Sequence, residues 1–531
     1  MTPETSIYEY VKQGIEQNPR KVAIWFYGRA ICYRELFEKI EIAAEQLASA
    51  GVGSGTVVTV RLPNCPQTAI AVYAVAKLGG ICNMVHALLP AEGLRENMAF
   101  TESRVLISGN HLDDCEEIDF ADSIFWVDIS AYMGMIPRLA FSLKGKTACP
   151  PNAVRFPGAA RVTQACFPEP SAFAKKCGLY MHSSGSTGEP KTAMLSHASL
   201  NYGVEMTKAY FRGTDMAKQV CLSALPLFHA LGFQMDMHRV LSCNGTLIMM
   251  LRWNKKKAAR LIKKHRVTVM VGVPAMYMGL LSEKAFSGPK IRQLRECFVG
   301  GEKMDAELKI NIDQRLDAGD CPRVLEGYGL TETASVCAVL GKGHYDLNAC
   351  GYPMEGVIAK VIDINGDLNT LGEGELIISA KSLMLGYLGD IEATASAFIE
   401  DNGKVFFRTG DYVRIDAEGL IYYIDRIKNT IISKGNNVFP REVETAIQRV
   451  DGVSEVCVVG MYDESVKTQR VCACVVPNGE VAISSLEKTI YEECRRILPE
   501  ISVPSKIAFV PNLPKNQMGK IERTKLEKFV L

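Results

Sequence analysis

The chain has 531 residues, 47% hydrophobic and 8% aromatic, which is enough apolar surface for more than one buried core and excludes a disordered chain. Lys and Arg total 60 against 59 for Asp and Glu, so net charge supplies no long-range field favouring nucleic acid or an anionic membrane, and partners have to be recognised locally. Nowhere do about 18 uninterrupted apolar residues occur, the length a bilayer-spanning helix needs.

The first stretch, Met1 to Gly28, mixes Glu, Lys, Arg and Pro with scattered apolar residues and lacks the basic head and apolar run of a secretory signal. The expectation is a cytoplasmic protein with at most peripheral membrane contact. The 17 cysteines are odd in number and scattered, with no CxxC pair of the kind that frames zinc, as expected of reduced thiols. Cys472 and Cys474 flank Ala473 in an alternating pattern that reads as one face of a strand, and no thiol is expected to act as a nucleophile.

Gly51-Val52-Gly53-Ser54-Gly55 ends a helix and starts a strand, and fails the dinucleotide fingerprint. From about residue 56 a strand-then-helix rhythm sets in. Val57 to Leu62 reads as a strand, and Gln67 to Leu78 as a helix opened by Pro66. Val267 to Val273 followed by Pro274, and Cys297 to Gly300 followed by Met304, repeat the pattern. Such alternation predicts an α/β fold with parallel sheets between helices, and ligands at the carboxyl ends of the strands.

After about Asp346 the chain changes to short strands with Gly turns, Gly356 to Ile362, Gly374 to Ala380 and Leu420 to Ile424, which predict a small antiparallel barrel or sheet. From about Asp425 two strand-like runs, Glu455 to Gly460 and Arg470 to Val476, and a helical stretch from Ser484 to Ile497 predict a small α+β domain.

Seven segments carry chemistry. Ser183-Ser184-Gly185-Ser186-Thr187-Gly188-Glu189-Pro190-Lys191 puts small residues, hydroxyls and an ammonium in one loop, a composition that suits polyphosphate although the spacing is not Walker A. Glu326-Gly327-Tyr328-Gly329-Leu330-Thr331-Glu332-Thr333, placed after a strand-like Arg323 to Leu325, offers two glycines for close approach, a stacking ring, a hydroxyl and a hard oxygen for Mg²⁺. Gly300-Gly301-Glu302 stands at a strand end, and Asp411, in Arg408-Thr409-Gly410-Asp411, can accept from both ribose hydroxyls. The C-terminal part adds Asp425-Arg426-Ile427-Lys428, Lys434-Gly435 and a Pro514 to Arg523 loop centred on Gly519-Lys520.

Taken together and in this order, these segments resemble the adenylate-forming superfamily of acyl-CoA synthetases, firefly luciferase and nonribosomal peptide adenylation domains, over nearly the whole chain. The resemblance implies an N-terminal domain over 1–424, made of two stacked α/β subdomains to about 345 and a β-barrel over about 346–424, then a small mobile α+β domain over 425–531. It implies activation of a carboxylic acid by MgATP to acyl-AMP and pyrophosphate, then transfer to a thiol. Carried over, Ser184, Gly185, Ser186, Thr187, Gly188 and Lys191 would cradle the phosphates, Gly301 and Glu302 would edge the adenine pocket with Gly327, and Tyr328 would stack on the base. Thr331 would touch the α-phosphate, Glu332 would hold Mg²⁺, and Asp411 with Arg426 would grip the ribose. Lys520 would bridge carboxylate and phosphate in the first step, and rotation about Lys428 would bring the Lys434-Gly435 face in for the second.

Three positions depart from the superfamily's usual pattern: Thr192 follows the loop Lys in place of Gly, Asn429 replaces a frequent acidic residue beside the hinge, and Asn348-Ala349 stands where Gly-Ser is common. Pro226 to Phe233 resembles the acyl-CoA synthetase form of a motif bordering the acid pocket, where His229 would act at the acyl site and where amino-acid activators carry an Asp. Val273 to Tyr277, Gly327 to Gly329 and Ala334 to Val336 hold no charged side chain, which favours an apolar acid, a medium- or long-chain fatty acid ahead of an aryl one. Coenzyme A is the expected acceptor, with a carrier-protein phosphopantetheine as the alternative, and a catalytically silent nucleotide-binding protein as the rival class. No nucleic-acid partner is expected, and the chain is expected to be a monomer or homodimer.

Overall fold

The structure, a computed structural model, describes residues 2–15, 18–111, 118–143, 149–150, 152–158, 170–183, 191–319, 323–341, 346, 348–434, 436–463, 467–479, 482–515 and 521–530. The chain divides into two compact units, Met1–Ala359 with Ile378–Phe407, and Lys360–Ile377 with Arg408–Leu531.

The first unit is α/β and is built on two large sheets. In one, the strands run in the order Tyr352–Pro353, Ser335–Val339, Val324–Leu330, Glu296–Val299, Val269–Gly272, Val220–Ser223, Thr246–Met249, Val22–Phe26, Arg29–Cys32. Its interior is parallel and only its edges are antiparallel. The interior strands are continuous apolar runs such as VMVG at Val269–Gly272, buried at all four positions, as both-face burial requires. In the other sheet, Val57–Val60, Ile81–Met84, Val105–Gly109, Ser123–Val127, Val154–Phe156 and Cys177–His182 are parallel, and Thr192–Ser196 and Gly386–Tyr387 close one edge antiparallel.

The strand-then-helix rhythm holds with small boundary shifts. The helix expected from Gln67 to Leu78 spans Pro66–Lys77, with Pro66 in its first turn, where a missing N–H costs nothing. Its described residues Pro66 to Ala76 are all buried, which explains a sequence without a polar face. One element was not expected: Gly232–His238 forms a π-helical turn, in which Gly232 lies so near Pro226 O that a Cβ there would sit 2.3 Å from it.

In the second unit, Asp411 to Ile415 pair antiparallel with Ile421–Arg426, and Asp411 faces Arg426. A three-stranded sheet of Val453–Asp463, Thr468–Pro477 and Lys506–Phe509 packs with the helices Pro440–Gln448 and Ile483–Ile497. Cys472 and Cys474 share one face with Cys457, while Val471, Ala473 and Val475 pack on the other, so the two thiols behave as small apolar core residues.

Candidate active site

The phosphate-type loop hangs from an antiparallel stem. His182 faces Thr192 across the pair, and Ser183 N and Oγ both donate to Lys191 O, at 2.8 and 3.2 Å. Ser184, Gly185, Ser186, Thr187, Gly188, Glu189 and Pro190 lie outside the described residues. The stem is braced by a half-buried imidazole. His182 Nε2 stands 2.8 Å from Asn83 Oδ1, and Nδ1 stands 2.9 Å from Thr192 Oγ1. Burial lowers the His182 pKa to about 4, so the ring is neutral. With Nε2–H donating to Asn83, Nδ1 is left to accept from the Thr192 hydroxyl. Thr192, the departure from the usual Gly, therefore has a partner in this chain's own stem.

Lys191 emerges from the stem next to the short edge strand Gly386–Tyr387. Its Nζ lies 4.9 Å from the Tyr387 ring centroid and 3.9 Å from the Asp390 carboxylate. Asp390 also caps the helix Ile391–Ala397 through Ala393 N. The Tyr387 hydroxyl donates to Glu332 Oε1 at 2.9 Å, and Met384 N donates to Glu332 O at 2.8 Å. Lys191, Tyr387 and Glu332 thus form one polar chain, joining two motifs separated by 140 residues of sequence. Tyr387 and Asp390 were not picked out from the sequence; the only signal there was a Tyr-Leu-Gly-Asp turn.

Glu332 sits in a single 3₁₀ turn, Thr331–Thr333, directly after Val324–Leu330. The strand expected to stop at Leu325 instead runs through Gly327, Tyr328, Gly329 and Leu330, because Ser335–Val339 returns against it and pairs Gly327 with Val339 and Tyr328 with Ala338. Thr333 Oγ1 secures the turn by bonding both N–H and C=O of Leu330. Tyr328, Thr331 and Glu332 are all half-buried and Gly329 is exposed, so this strand end is accessible. At its root, Glu326 is buried against Lys309 in an ion pair.

Gly301 and Glu302 are exposed at the carboxyl end of Glu296–Val299, beside the end of Val324–Leu330. Gly301 has φ +83°, the left-handed region that favours glycine, and Gly300 N donates to Gly272 O. His229 is half-buried, its ring tilted 58° to that of Phe228 at 4.6 Å, and it starts the segment leading into the π-helical turn. Of the presumed apolar walls, Tyr277 is fully buried and its hydroxyl donates to Met270 O and Phe298 O, so it belongs to the core and offers nothing to a ligand.

In the second unit Asp411 is fully buried, and Arg426 Nε donates to its Oδ1 at 2.7 Å while Nη1 donates to Thr409 O. Asp425 gathers the following segment: it accepts from Arg426 N, from the Asn429 side chain and from Arg441 N. Asn429, the second departure, is thereby a donor to a carboxylate that an acidic residue there would repel. Lys428 and Lys434 are exposed, and Lys434 has φ +48° at a hairpin turn where its N–H donates to Thr468 Oγ1. Gly435 and Lys520 lie outside the described residues; Lys515 and Ile521 form an antiparallel bridge.

Chemically, the first unit combines a Gly-Ser-Thr loop, an ammonium and a carboxylate held by a tyrosine. Glu332 presents a hard carboxylate oxygen of the kind divalent cations accept, and Tyr387 orients it. Residues 11–388 match the family described as AMP-binding enzyme, and residues 442–520 match the AMP-binding enzyme C-terminal domain. The long-chain-fatty-acid–CoA ligase of Bacillus subtilis is 26% identical over 543 residues, covering 99% of this chain and 94% of that protein. The feruloyl-CoA synthase of an Amycolatopsis species is 29% identical over 509 residues, covering 95% of each. Among solved structures, ATP-bound MatB from Rhodopseudomonas palustris superposes with a TM-score of 0.81 at 24% identity, covering 99% of each chain, which speaks to the fold alone.

Proposed function

The chain belongs to the AMP-binding enzyme family and is an acid–thiol ligase of the AMP-forming acyl-CoA synthetase kind, and we propose that its acid is a medium- or long-chain fatty acid and its acceptor coenzyme A. A bare carboxylate has to expel oxide to react with a thiol, whereas an acyl adenylate expels AMP, so the first step stores the energy of ATP in a mixed anhydride. The observation that carries the site assignment is the chain Lys191–Tyr387–Glu332 beside the stem of the phosphate loop.

In this reading, the loop from Ser183 to Lys191 holds the β- and γ-phosphates, with Thr187 and Lys191 its main polar contacts. Gly301, Glu302, Gly327 and Tyr328 form the adenine pocket, and Thr331 contacts the α-phosphate. Asp411 and Arg426 take the ribose hydroxyls, the arginine holding the carboxylate as an acceptor. Mg²⁺ on Glu332 would offset phosphate charge during transfer. Lys520 stabilises the charge developing between carboxylate and α-phosphate, and Lys434 serves the thioester step. His229, between Phe228 and the π-helical turn, borders the acyl site. The absence of a charged side chain from Gly327 to Gly329 and Ala334 to Val336 supports an apolar acyl tail, and the long-chain-fatty-acid–CoA ligase relative fits that choice.

Acid-dependent exchange of labelled pyrophosphate into ATP, run across fatty, aryl and amino acids without thiol, tests the proposal. Exchange confined to fatty acids, followed by thioester formation on free coenzyme A, is the expected result. Exchange with aryl acids alone moves the substrate to that class, thioester formation only on a carrier protein replaces the acceptor, and silence with folded, ATP-binding protein leaves a nucleotide-binding regulator.

A further inference from the structure

The helix Met135–Ser142 turns its apolar side outward. Met135, Leu139 and Leu143 recur every fourth residue and are 85%, 64% and 80% exposed, and Ile136 beside them is 77% exposed. At 3.6 residues per turn these four fall within roughly 100° of arc. Pro137 and Phe141, on the other side, are only half-buried, and Arg138 is exposed on the flank of the stripe. An apolar ridge of this kind is foreign to a surface meant for water alone.

A basic helix adjoins it. Lys255–His265 carries Lys256, Arg260 and Lys264 at the same fourfold spacing, all exposed, and none is paired with a carboxylate among the described residues. The turn Tyr27–Gly28 links the two helices: Gly134 N donates to Tyr27 O at 3.0 Å, and Lys257 Nζ stands 3.1 Å from the Tyr27 ring centroid. The sequence around both helices is cleared of acid, with no Asp or Glu between Asp128 and Glu169 or between Asp236 and Glu283. In a chain whose charges balance overall, 60 against 59, Lys256, Arg260 and Lys264 make a local positive field next to exposed Met, Ile and Leu, with Lys255 at the helix start paired with Glu283.

We infer that this face docks the chain on a bilayer containing anionic phospholipid. Met135, Ile136, Leu139 and Leu143 enter the boundary between headgroups and acyl chains, while Arg138 and the exposed face of Lys255–His265 lie against the phosphates. A nucleic acid would use the basic helix but has no place for four exposed aliphatic side chains, which is why a lipid surface fits better. The contact is reversible, since a short stripe and a few cations give weak binding each and useful binding together.

Cosedimentation of the full chain with vesicles tests this without acid, ATP or thiol, so its outcome is separate from that of the proposed substrate. The chain should bind vesicles of phosphatidylcholine mixed with phosphatidylglycerol, bind those of phosphatidylcholine alone far less, and release as salt rises. The pairs Ile136→Glu/Leu139→Glu and Lys256→Glu/Arg260→Glu should each weaken binding by about tenfold or more with thermal midpoint and pyrophosphate exchange unchanged. The neutral pair Ile136→Gln/Leu139→Gln should weaken it as well. Equal binding to both vesicle types, no response to either substitution at Ile136 and Leu139, or tighter binding to an RNA duplex than to anionic vesicles would each overturn the inference.

Discussion

The Tyr387 hydroxyl donates to Glu332 Oε1 at 2.9 Å, and the same ring lies 4.9 Å from Lys191 Nζ. One side chain thus fixes the carboxylate proposed for Mg²⁺ and borders the ammonium proposed for phosphate. A hydrogen bond to a charged group contributes about 1.5–3 kcal/mol, so Tyr387→Phe should slow pyrophosphate exchange by roughly tenfold or more. The Mg²⁺ concentration giving half-maximal exchange should rise as Glu332 loses its orientation. Tyr387→Ala, which also removes the ring beside Lys191, should be worse and should raise KM for ATP. A Tyr387→Phe enzyme with the wild-type Mg²⁺ dependence would sever the link between the two motifs.

The stem below the loop makes a second prediction. Thr192→Val leaves the volume nearly unchanged but deprives Nδ1 of the desolvated His182 ring of its donor. Leaving a buried acceptor unpaired costs about 1–3 kcal/mol. The chemical denaturation midpoint should fall accordingly, and Thr192→Ser, which keeps the hydroxyl, should recover most of the loss. Equal destabilisation by Val and Ser would show that the hydroxyl contributes nothing to the stem.

Lys309 and Glu326 are paired at 2% and 4% side-chain exposure, at the root of the strand that delivers Tyr328, Thr331 and Glu332. Removing one partner strands a buried charge and costs about 3–5 kcal/mol, whereas replacing both by apolar residues is often nearly neutral. Lys309→Met alone should therefore lower stability sharply, and Lys309→Met/Glu326→Leu should restore much of it. If the double variant is no more stable than the single one, the pair is holding the strand by more than its own charge balance.

Three desolvated histidines set a pH dependence. Burial lowers the pKa of His182 and of His197 to about 4 and that of His238 to about 3, against 6.5 for an ordinary imidazole. His238 stands between Tyr73 OH at Nδ1 and Asn201 Oδ1 at Nε2, partners that suit the neutral ring. Below pH 6.5 the unfolded chain takes up protons that the folded chain refuses until about pH 4. Their contribution is therefore fully present above 6.5 and is lost as pH falls, at up to about 1.4 kcal/mol per pH unit for each ring. The thermal midpoint should drop from neutral pH towards pH 5 (about halfway through that window), and His238→Gln should flatten the slope. A midpoint independent of pH over that interval would contradict the neutral assignments.

What the sequence revealed, and what it hid, follows from range. The helix Pro66–Lys77 and the strand Val269–Gly272 announce themselves by local apolar pattern, and the Gly-Ser-Thr loop and the Gly-Tyr-Gly strand end by local composition. Tyr387 is invisible to that reading because it reaches Lys191 and Glu332 only when Gly386–Tyr387 adds to the edge of Thr192–Ser196, pairing residues nearly two hundred positions apart. The π-helical turn at Gly232–His238 was hidden for a related reason. Gly232 there comes close to Pro226 O, and neither that contact nor the turn leaves a period in the sequence. Tyr277, at the end of the uncharged Val273 to Tyr277 segment, belongs to the core because its hydroxyl reaches two carbonyls on neighbouring strands, Met270 O and Phe298 O, which no local pattern announces.

The two half-reactions should separate in two lysines of the second unit. Lys434 is exposed in a left-handed turn held by Thr468, so truncating it disturbs no packed neighbour. Lys434→Ala should leave pyrophosphate exchange intact while slowing thioester formation from preformed acyl adenylate. Lys520→Ala should do the reverse, cutting exchange by about 10²- to 10³-fold, the scale of a positioned electrostatic group, while ATP still binds. Single-turnover assays of each step on each variant make the comparison direct. Parallel loss of both steps in Lys434→Ala would mean that one arrangement of groups serves both reactions, and normal exchange in Lys520→Ala would move the first-step cation elsewhere, with Lys191 the next ammonium to test.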